Sequence, residues 1–375
     1  MKETDSLALK LTPNSIWNAL KAVNKRHIVI AGQHSSGKTT LFNKLAAGNP
    51  GYSTKVIPED KVVLNFNNFA DTTTTYVIGQ HSSSCGTDIM QPVVNTLDTL
   101  AELIDSYSFS SSDYYFSIDE IGCIEDSSPA FCKAINNLFN RKHVIVTLCK
   151  QDTELITSII AREDILYIDL DNLFGNTGCV IMASGLGTRF GQNKLMTSVF
   201  DKPLISHIVS TTQPLFIQSV VVTRHASVQT FCDSINQAVI LHDFPNRNDT
   251  TRLGTQYLMA QSVENIIFFQ GDQPFVSSDT IIAMLLCAKN TSDKIIRLSY
   301  NGLDCAPTLF PKCFFDSLTK LPDRKGGNYI AQNHPDSIIR VEAFNEIETI
   351  DIDTPDDITK ITELMHLHTL QSSLY

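Results

Sequence analysis

The chain lacks what would mark a membrane protein, a secreted protein or a nucleic-acid binder. No apolar run reaches the roughly 18 to 20 residues that a membrane span needs. Residues 1–15 show no basic segment leading into an uninterrupted apolar stretch, so neither a secretory signal nor a lipid anchor is read there, and the cytoplasm is the expected location. The nine cysteines are odd in number, scattered and without a C-x-x-C pair, which argues against a disulfide framework and against structural zinc. Cations are in deficit, 29 Lys and Arg against 40 Asp and Glu for a net charge of -11. Non-specific binding to a phosphate backbone rests on clustered cations, so nucleic acid is a poor candidate partner.

What is present is an ordinary soluble composition, 42% apolar and 18% charged over 375 residues, long for one core and comfortable for two. A helical pattern at residues 15–23 precedes a β-branched run at 27–31, a glycine-rich turn, and a second helical pattern closed by Gly48. Residues 50–112, rich in Thr and Ser, read as long surface loops. Two apolar runs, 114–118 and 143–148, enclose a helical pattern at 129–139 and make a βαβ unit; residues 165–170 form a last short strand. Turn formers at 171–178 read as a linker. From residue 179 strands (179–183, 219–223, 238–241, 266–269) again alternate with helices (204–212, 251–262). The expectation is α/β throughout: a first domain at 1–170, a linker at 171–178 and a second domain at 179–375.

The turn at residues 32–39, GQHSSGKT, fits G-x-x-x-x-G-K-[ST] with a strand before it and a helix after it. Gly32 and Gly37 let the backbone turn its N–H groups inward; these and the helix start, with Thr40 on its first turn, cradle phosphates, while Lys38 reaches the β- and γ-phosphates and Thr39 joins a Mg2+ shell. Such a loop needs a carboxylate at a neighbouring strand end. YYFSIDE supplies Asp119, expected to bind Mg2+ through water, and Glu120, expected to polarise the attacking water as general base. A chance Gly-Lys-Thr turn and an acidic pair capping a strand are the plain alternatives.

The run from Asp119 to Leu170 resembles the small family of P-loop nucleoside-triphosphatases that carry DEIG after the acidic strand. Here IDEIGCIE is followed by PAFCKAINNLF and HVIVTL. The resemblance implies a three-layer P-loop sandwich that hydrolyses ATP or GTP. The Thr- and Ser-rich middle departs from the family's pattern, which leaves base and ribose contacts unassigned.

A second loop, residues 181–195, IMASGLGTRFGQNKL, follows a strand directly. Gly185, Gly187 and Gly191 permit close backbone approach, and Arg189 and Lys194 would neutralise charge building on a leaving pyrophosphate. Nothing in it supplies a nucleophile, so the chemistry suggested is attack by a bound acceptor on an α-phosphorus. FFQGDQP puts Asp272 just past an apolar strand, and IDIDTPDDI puts Asp351 and Asp353 on alternate positions of an expected strand, one face for both.

Taken together, ASGLGTRFGQNK, GDQP and DIDTPDDI resemble the nucleotidyltransferase superfamily that includes the MobA-like molybdenum cofactor cytidylyl- and guanylyltransferases, across nearly all of residues 178–364. The resemblance implies a Rossmann-like, GT-A-like domain. It places Ala183, Gly185, Gly187, Arg189 and Lys194 on the nucleotide, Asp272 and Asp353 on Mg2+, Gly254 in nucleotide packing, and CAPTLFPKCFF with PDRKGGNYI on the acceptor side. The acceptor so implied is molybdopterin, and an associated partner would be a molybdenum hydroxylase apoenzyme. Ala183-Ser184-Gly185 departs from the small-residue pattern that separates CTP from GTP users; CTP is expected because the later segments look closer to the cytidylyl branch. Two other readings stand beside this one: a nucleotide-gated chaperone for molybdoenzyme maturation, and a transferase acting on a sugar or alcohol phosphate. Arg224 and His225 read as a solvated strand end, Asp249 as a helix cap, and Lys325, Gly326 and Gly327 as a turn or an acceptor-phosphate contact.

Overall fold

The computed structural model describes residues 10–57, 61–67, 72–82, 89–110, 114–185 and 193–372. The chain divides into two compact units, Met1–Pro13 with Asn24–Leu173, and Asn14–Val23 with Phe174–Tyr375. Both are α/β.

After α1 (Pro13–Ala22) the first unit runs β1 (His27–Gly32), α2 (Lys38–Ala46), β2 (Gly51–Ile57), β3 (Lys61–Asn67), β4 (Thr73–Ser82), β5 (Ile89–Pro92), α3 (Val94–Ser108), β6 (Tyr115–Ile121), α4 (Pro129–Arg141), β7 (His143–Cys149), α5 (Glu154–Ile160) and β8 (Ile165–Asp169). One sheet takes all eight strands in the order β5-β4-β3-β2-β6-β7-β1-β8. The strands from β2 across to β8 in that order run parallel, and the β2-to-β5 side is antiparallel. All six residues of β1, HIVIAG, are buried, as expected of a parallel strand covered on both faces. Ser128 caps α4 by accepting the Phe131 N–H at 3.0 Å, Pro129 takes the first helical position, and Phe131, Ala134, Ile135, Leu138 and Phe139 form its buried stripe.

Residues 50–112 are not the long loops expected from their Thr and Ser content. They hold β2 to β5 and the 15-residue α3. The signals were present: Val62, Leu64, Phe66 and Ile78 fill the core, and Leu97, Leu100, Ala101 and Ile104 sit at helical spacing on α3. The TTTT run misleads because Thr is a β-former as well as a turn residue.

The second unit runs β9 (Thr177–Ala183), β10 (Ser198–Val199), β11 (Lys202–Pro203), α6 (Leu204–Thr212), β12 (Ser219–Thr223), α7 (Ala226–Ser234), β13 (Val239–Leu241), α8 (Arg247–Met259), β14 (Asn265–Gln270), α9 (Ser278–Asn290), β15 (Ile295–Tyr300), β16 (Leu303–Pro311), α10 (Phe315–Thr319), α11 (Gly327–Asn333), β17 (Ile338–Glu342) and α12 (Pro355–Ser372). Its seven-stranded sheet has the order β13-β12-β9-β14-β16-β15-β17, with β16 antiparallel to both neighbours.

Helix α1 packs in this second unit, although the sequence places it in the first. Residues 280–287 of α9 are all buried, and a helix buried all round needs cover on every side. Helix α1 supplies some of it: the Cys287 thiol donates to Ala19 O at 3.8 Å and the Asn18 amide donates to Glu342 O at 2.7 Å. Ile16 and Ala19 are fully buried. The stretch Asn24–Leu173 of the first unit therefore lies in the chain between this helix and the remainder of the second. The expected strand at residues 350–353 is irregular backbone. Among the described residues no helix is long and apolar enough to cross a membrane.

Candidate active sites

In the first unit, β1 ends at Gly32 and the chain turns into α2 through Ser35 at φ 62° and Gly37 at φ 95°. The latter value is one that glycine adopts without cost. Gly32 sits in a tight place, since a Cβ there would lie 3.1 Å from Ser36 Cβ and 3.3 Å from Leu170 Cβ. Lys38 is buried and its ammonium donates to Gly32 O and Gln33 O, each at 2.8 Å. The far side of the loop is held by Asp171, which accepts the Gln33 N–H at 2.9 Å and pairs with Lys150 at 2.8 Å. A residue read as linker thus supports the loop. Thr39 and Thr40 are exposed on the first turn of α2.

Strand β7 lies between β1 and β6, and the β6–β7 register slips between Ile118 and Ile121. That bulge re-aims the two acidic residues within it. Asp119 is buried and accepts from Thr147 Oγ1 at 2.9 Å and Thr39 Oγ1 at 3.3 Å. Burial raises its pKa, and the two hydroxyls partly offset this. Glu120 takes φ 75°, uncommon for a residue with a side chain. Its N–H donates to Thr147 Oγ1 at 2.7 Å, and its Oε1 accepts from the Cys149 thiol at 2.7 Å. Burial, then the bond to Glu120, pushes that thiol up to about 12, so Cys149 acts as a donor that orients the carboxylate. Loop, hydroxyl and both acids lie at the C-terminal ends of the parallel strands β1, β7 and β6.

In the second unit β9 ends at Ala183 and is followed by Ser184 and Gly185; residues 186–192, with the expected Gly187, Arg189 and Gly191, lie outside the described residues. Lys194 is buried and its ammonium lies 2.7 Å from Asp272 Oδ2 and 2.6 Å from Asp353 Oδ1. Burial opposes its charge, but the two carboxylates outweigh burial and raise its pKa. Asp272 follows β14, and its carbonyl accepts the Ile352 N–H at 2.9 Å, which brings the segment at 351–353 to the strand end without a strand. Desolvation within the cleft, then the charges of Asp272 and Asp353, pushes Asp351 up to about 6. Among the described residues no three His, Cys, Asp or Glu side chains form a cage for a metal. Two carboxylates with room for substrate oxygens are, however, the usual protein share of a Mg2+ shell.

Two clefts open here. The first, ≈ 330 Å³, is lined by Ala183, Ser184, Gly185, Lys194, Arg224 and Asp272 among others. The second, ≈ 570 Å³, is lined by Arg297, Asp304, Arg324, Lys325, Tyr329 and Asp351 among others. Sequence reasoning set Arg224 and His225 aside as solvated. In the structure Arg224 lines the first cleft, donating to Phe244 O at 3.1 Å, and His225 Nε2 lies 2.8 Å from Gly185 O. Their position one step past β12 was the available signal. Asp249 is the helix cap it was read as, in a capping box with Asn246. Gly254 lines neither cleft. It packs α8 on β9, where a Cβ would lie 2.6 Å from Val180 Cγ1, so its smallness serves packing between helix and sheet.

Comparison with known proteins agrees with this division. Residues 27–173 match the family model for NTPase, and residues 179–338 match that for the MobA-like NTP transferase domain. Among curated relatives, the probable molybdenum cofactor guanylyltransferase of Aquifex aeolicus is 26% identical over 107 residues, 28% of this chain and 51% of that protein. The bifunctional protein GlmU of Idiomarina loihiensis is 28% identical over 122 residues, 30% of this chain and 26% of that protein. The chain therefore spans about half or less of the length of these relatives. Among solved structures, Rv0371c of Mycobacterium tuberculosis H37Rv is 19% identical with a TM-score of 0.43, covering 50% of this chain and 97% of that one. A CMP:2-keto-3-deoxy-manno-octonic acid synthetase complexed with CTP is 14% identical with a TM-score of 0.43, covering 52% of this chain and 100% of that one. The chain joins an NTPase-family domain to a MobA-like NTP transferase domain.

Proposed function

We propose that the second unit transfers CMP from CTP, or GMP from GTP as the alternative, to the phosphate of a molybdopterin-type acceptor with release of pyrophosphate, and that the first unit hydrolyses ATP or GTP. The observation that carries the transferase reading is Lys194 held between Asp272 and Asp353 on the floor of a cleft bounded by the Ala183–Gly185 segment. The family match supports nucleotidyl transfer, and the name of the Aquifex relative supports a pterin acceptor.

In this reading the nucleotide lies in the first cleft and the acceptor in the second. An acceptor phosphate oxygen attacks the α-phosphorus, and the bond from that phosphorus to the pyrophosphate oxygen breaks. Charge is conserved without proton transfer, so no general base is required. Lys194 carries a charge stabilised by its partners and stands where the triphosphate would be neutralised. Asp272 and Asp353 would hold Mg2+, which when bound supplies Lewis-acid polarisation of the phosphates. In the first unit Lys38 would exchange loop carbonyls for phosphate oxygens, Thr39 and Asp119 would hold the metal's shell, and Glu120, oriented by Cys149, would take a proton from the attacking water.

The test is pyrophosphate release from CTP, GTP, ATP and UTP with Mg2+ and either molybdopterin or a sugar 1-phosphate, wild type against Asp272→Ala. Release that needs molybdopterin and CTP and disappears in the variant supports the reading. Release with the sugar phosphate alone replaces the acceptor. No release with any pair ends the transferase reading.

A further inference from the structure

Three residues, Met182, Arg247 and Gln270, line both clefts of the second unit. They are the common wall across which any group must pass from a nucleotide in one cleft to an acceptor in the other. Arg247 is the one cation of the three. It is the first residue of α8, whose start is fixed by the Asn246–Asp249 capping box, and its NH2 donates to Gln270 Oε1 at 3.3 Å. The second cleft closes on it from the other side: a Cβ at Gly326 would lie 3.4 Å from Arg247 Nε. Arg247 is exposed at the start of α8, with its guanidinium on Gln270 at one side and facing Gly326 at the other.

Transfer brings a phosphate dianion against a triphosphate, and the repulsion between them is greatest at this wall. A guanidinium has five N–H donors in a planar fork; with one on Gln270, enough remain for oxygens on two phosphates. We propose that Arg247 is a catalytic residue that spans the α-phosphate of the nucleotide and the phosphate of the acceptor as the new P–O bond forms and pyrophosphate departs. This rests on the transferase reading above and adds to it a residue that neither loop motif contains.

The test uses the full chain with Mg2+, CTP and whichever of molybdopterin or a sugar 1-phosphate supports turnover in the wild type, comparing Arg247→Met and Arg247→Lys. A contact formed mainly in the transition state predicts that Arg247→Met lowers kcat about 100-fold while CTP affinity changes less than about threefold. Arg247→Lys, which keeps the charge but not the fork, recovers only part of the loss. A kcat within about threefold of wild type in Arg247→Met, or a loss confined to KM for CTP, overturns the proposal and leaves the transferase reading intact. Wild type that turns over neither acceptor overturns both.

Discussion

Each unit holds a buried lysine at a strand-end loop, and the two lysines are held in opposite ways. Lys38 bonds to carbonyls five and six residues before it, within its own loop. Lys194 bonds to carboxylates of Asp272 and Asp353, and the latter is 159 residues away in the chain. The first site is local: turn, lysine and hydroxyl come in one stretch and need only a neighbouring strand to add Asp119 and Glu120. The second is assembled by the sheet, from β9, β14 and the segment before α12. A lysine on neutral carbonyls is ready to move to a phosphate, whereas Lys194 is fixed in place by two acids, in a cleft that Arg224 and Arg247 also line.

The largest test of this contrast is a double dissociation. Lys38→Ala should abolish phosphate release by the first unit, and Asp272→Ala should abolish pyrophosphate release by the second, each by about a thousandfold or more, with the other activity intact. Assaying both products on both variants decides it. Loss of both activities from either variant would mean that the two sites do not work separately.

The same contrast explains what was legible in the sequence. The glycines, Lys38, Thr39 and the acidic pair were readable because their spacing is set by local backbone. Lys194, Asp272 and Asp353 were found only as fragments ordered by resemblance, and their mutual contacts lie in no motif. Arg224 reads from sequence as a solvated strand end, and Arg247 carries no role of its own there. One follows β12 and the other opens α8, and only the sheet order, with β12 and β14 flanking β9, brings them to one cleft. The helix at residues 13–22 was found, but its domain was not: amphipathic spacing shows that a face must be buried, not against what.

That helix gives the next effect. Ile16 is fully buried in the second unit although it lies in the chain between two stretches of the first. Ile16→Ala should cost about 2 to 4 kcal/mol. Hydrogen exchange read peptide by peptide should place the loss in residues 174–372 and leave the β1–β8 sheet protected. Loss in the first unit instead would contradict this placement.

Acid should also separate the units. His27 is the only fully buried histidine among the described residues; its Nδ1 accepts the Val144 N–H at 3.1 Å, so Nε2 carries the proton toward Asp164. Burial, the largest cause, lowers its pKa from 6.5 to about 4. The unfolded chain then binds the proton first, so the stability this group contributes is complete above pH 6.5 and is lost as pH falls toward 4, at about 1.4 kcal/mol per pH unit. Asp351 in the second unit has the opposite sign. With a folded value of about 6 against 3.8, the folded unit holds the extra proton in that window and gains stability as pH falls. Urea unfolding at pH 7 and pH 5, followed by exchange in each unit, should show the first unit weakening relative to the second. His27→Phe should remove most of the first unit's slope, and an unchanged slope would assign it to other groups.

The smallest effect concerns two glycines. Gly37 owes its identity to conformation, at φ 95°, and Gly254 to space alone. In Gly254→Ala the new methyl meets Val180 Cγ1 at 2.6 Å, and Val180 is fully buried with little freedom to yield. Overpacking of this kind costs about 1 to 3 kcal/mol. Against it, alanine in a helix interior is better than glycine by about 1 kcal/mol. The balance is a net loss near 1 kcal/mol, read as a lower midpoint in urea. Because the residue lines neither cleft, affinity for CTP should stay within about twofold, well under the 1.4 kcal/mol that a tenfold change requires. A large drop in CTP affinity at unchanged stability would return Gly254 to the nucleotide, and a rise in stability would show that β9 gives way more easily than its burial implies.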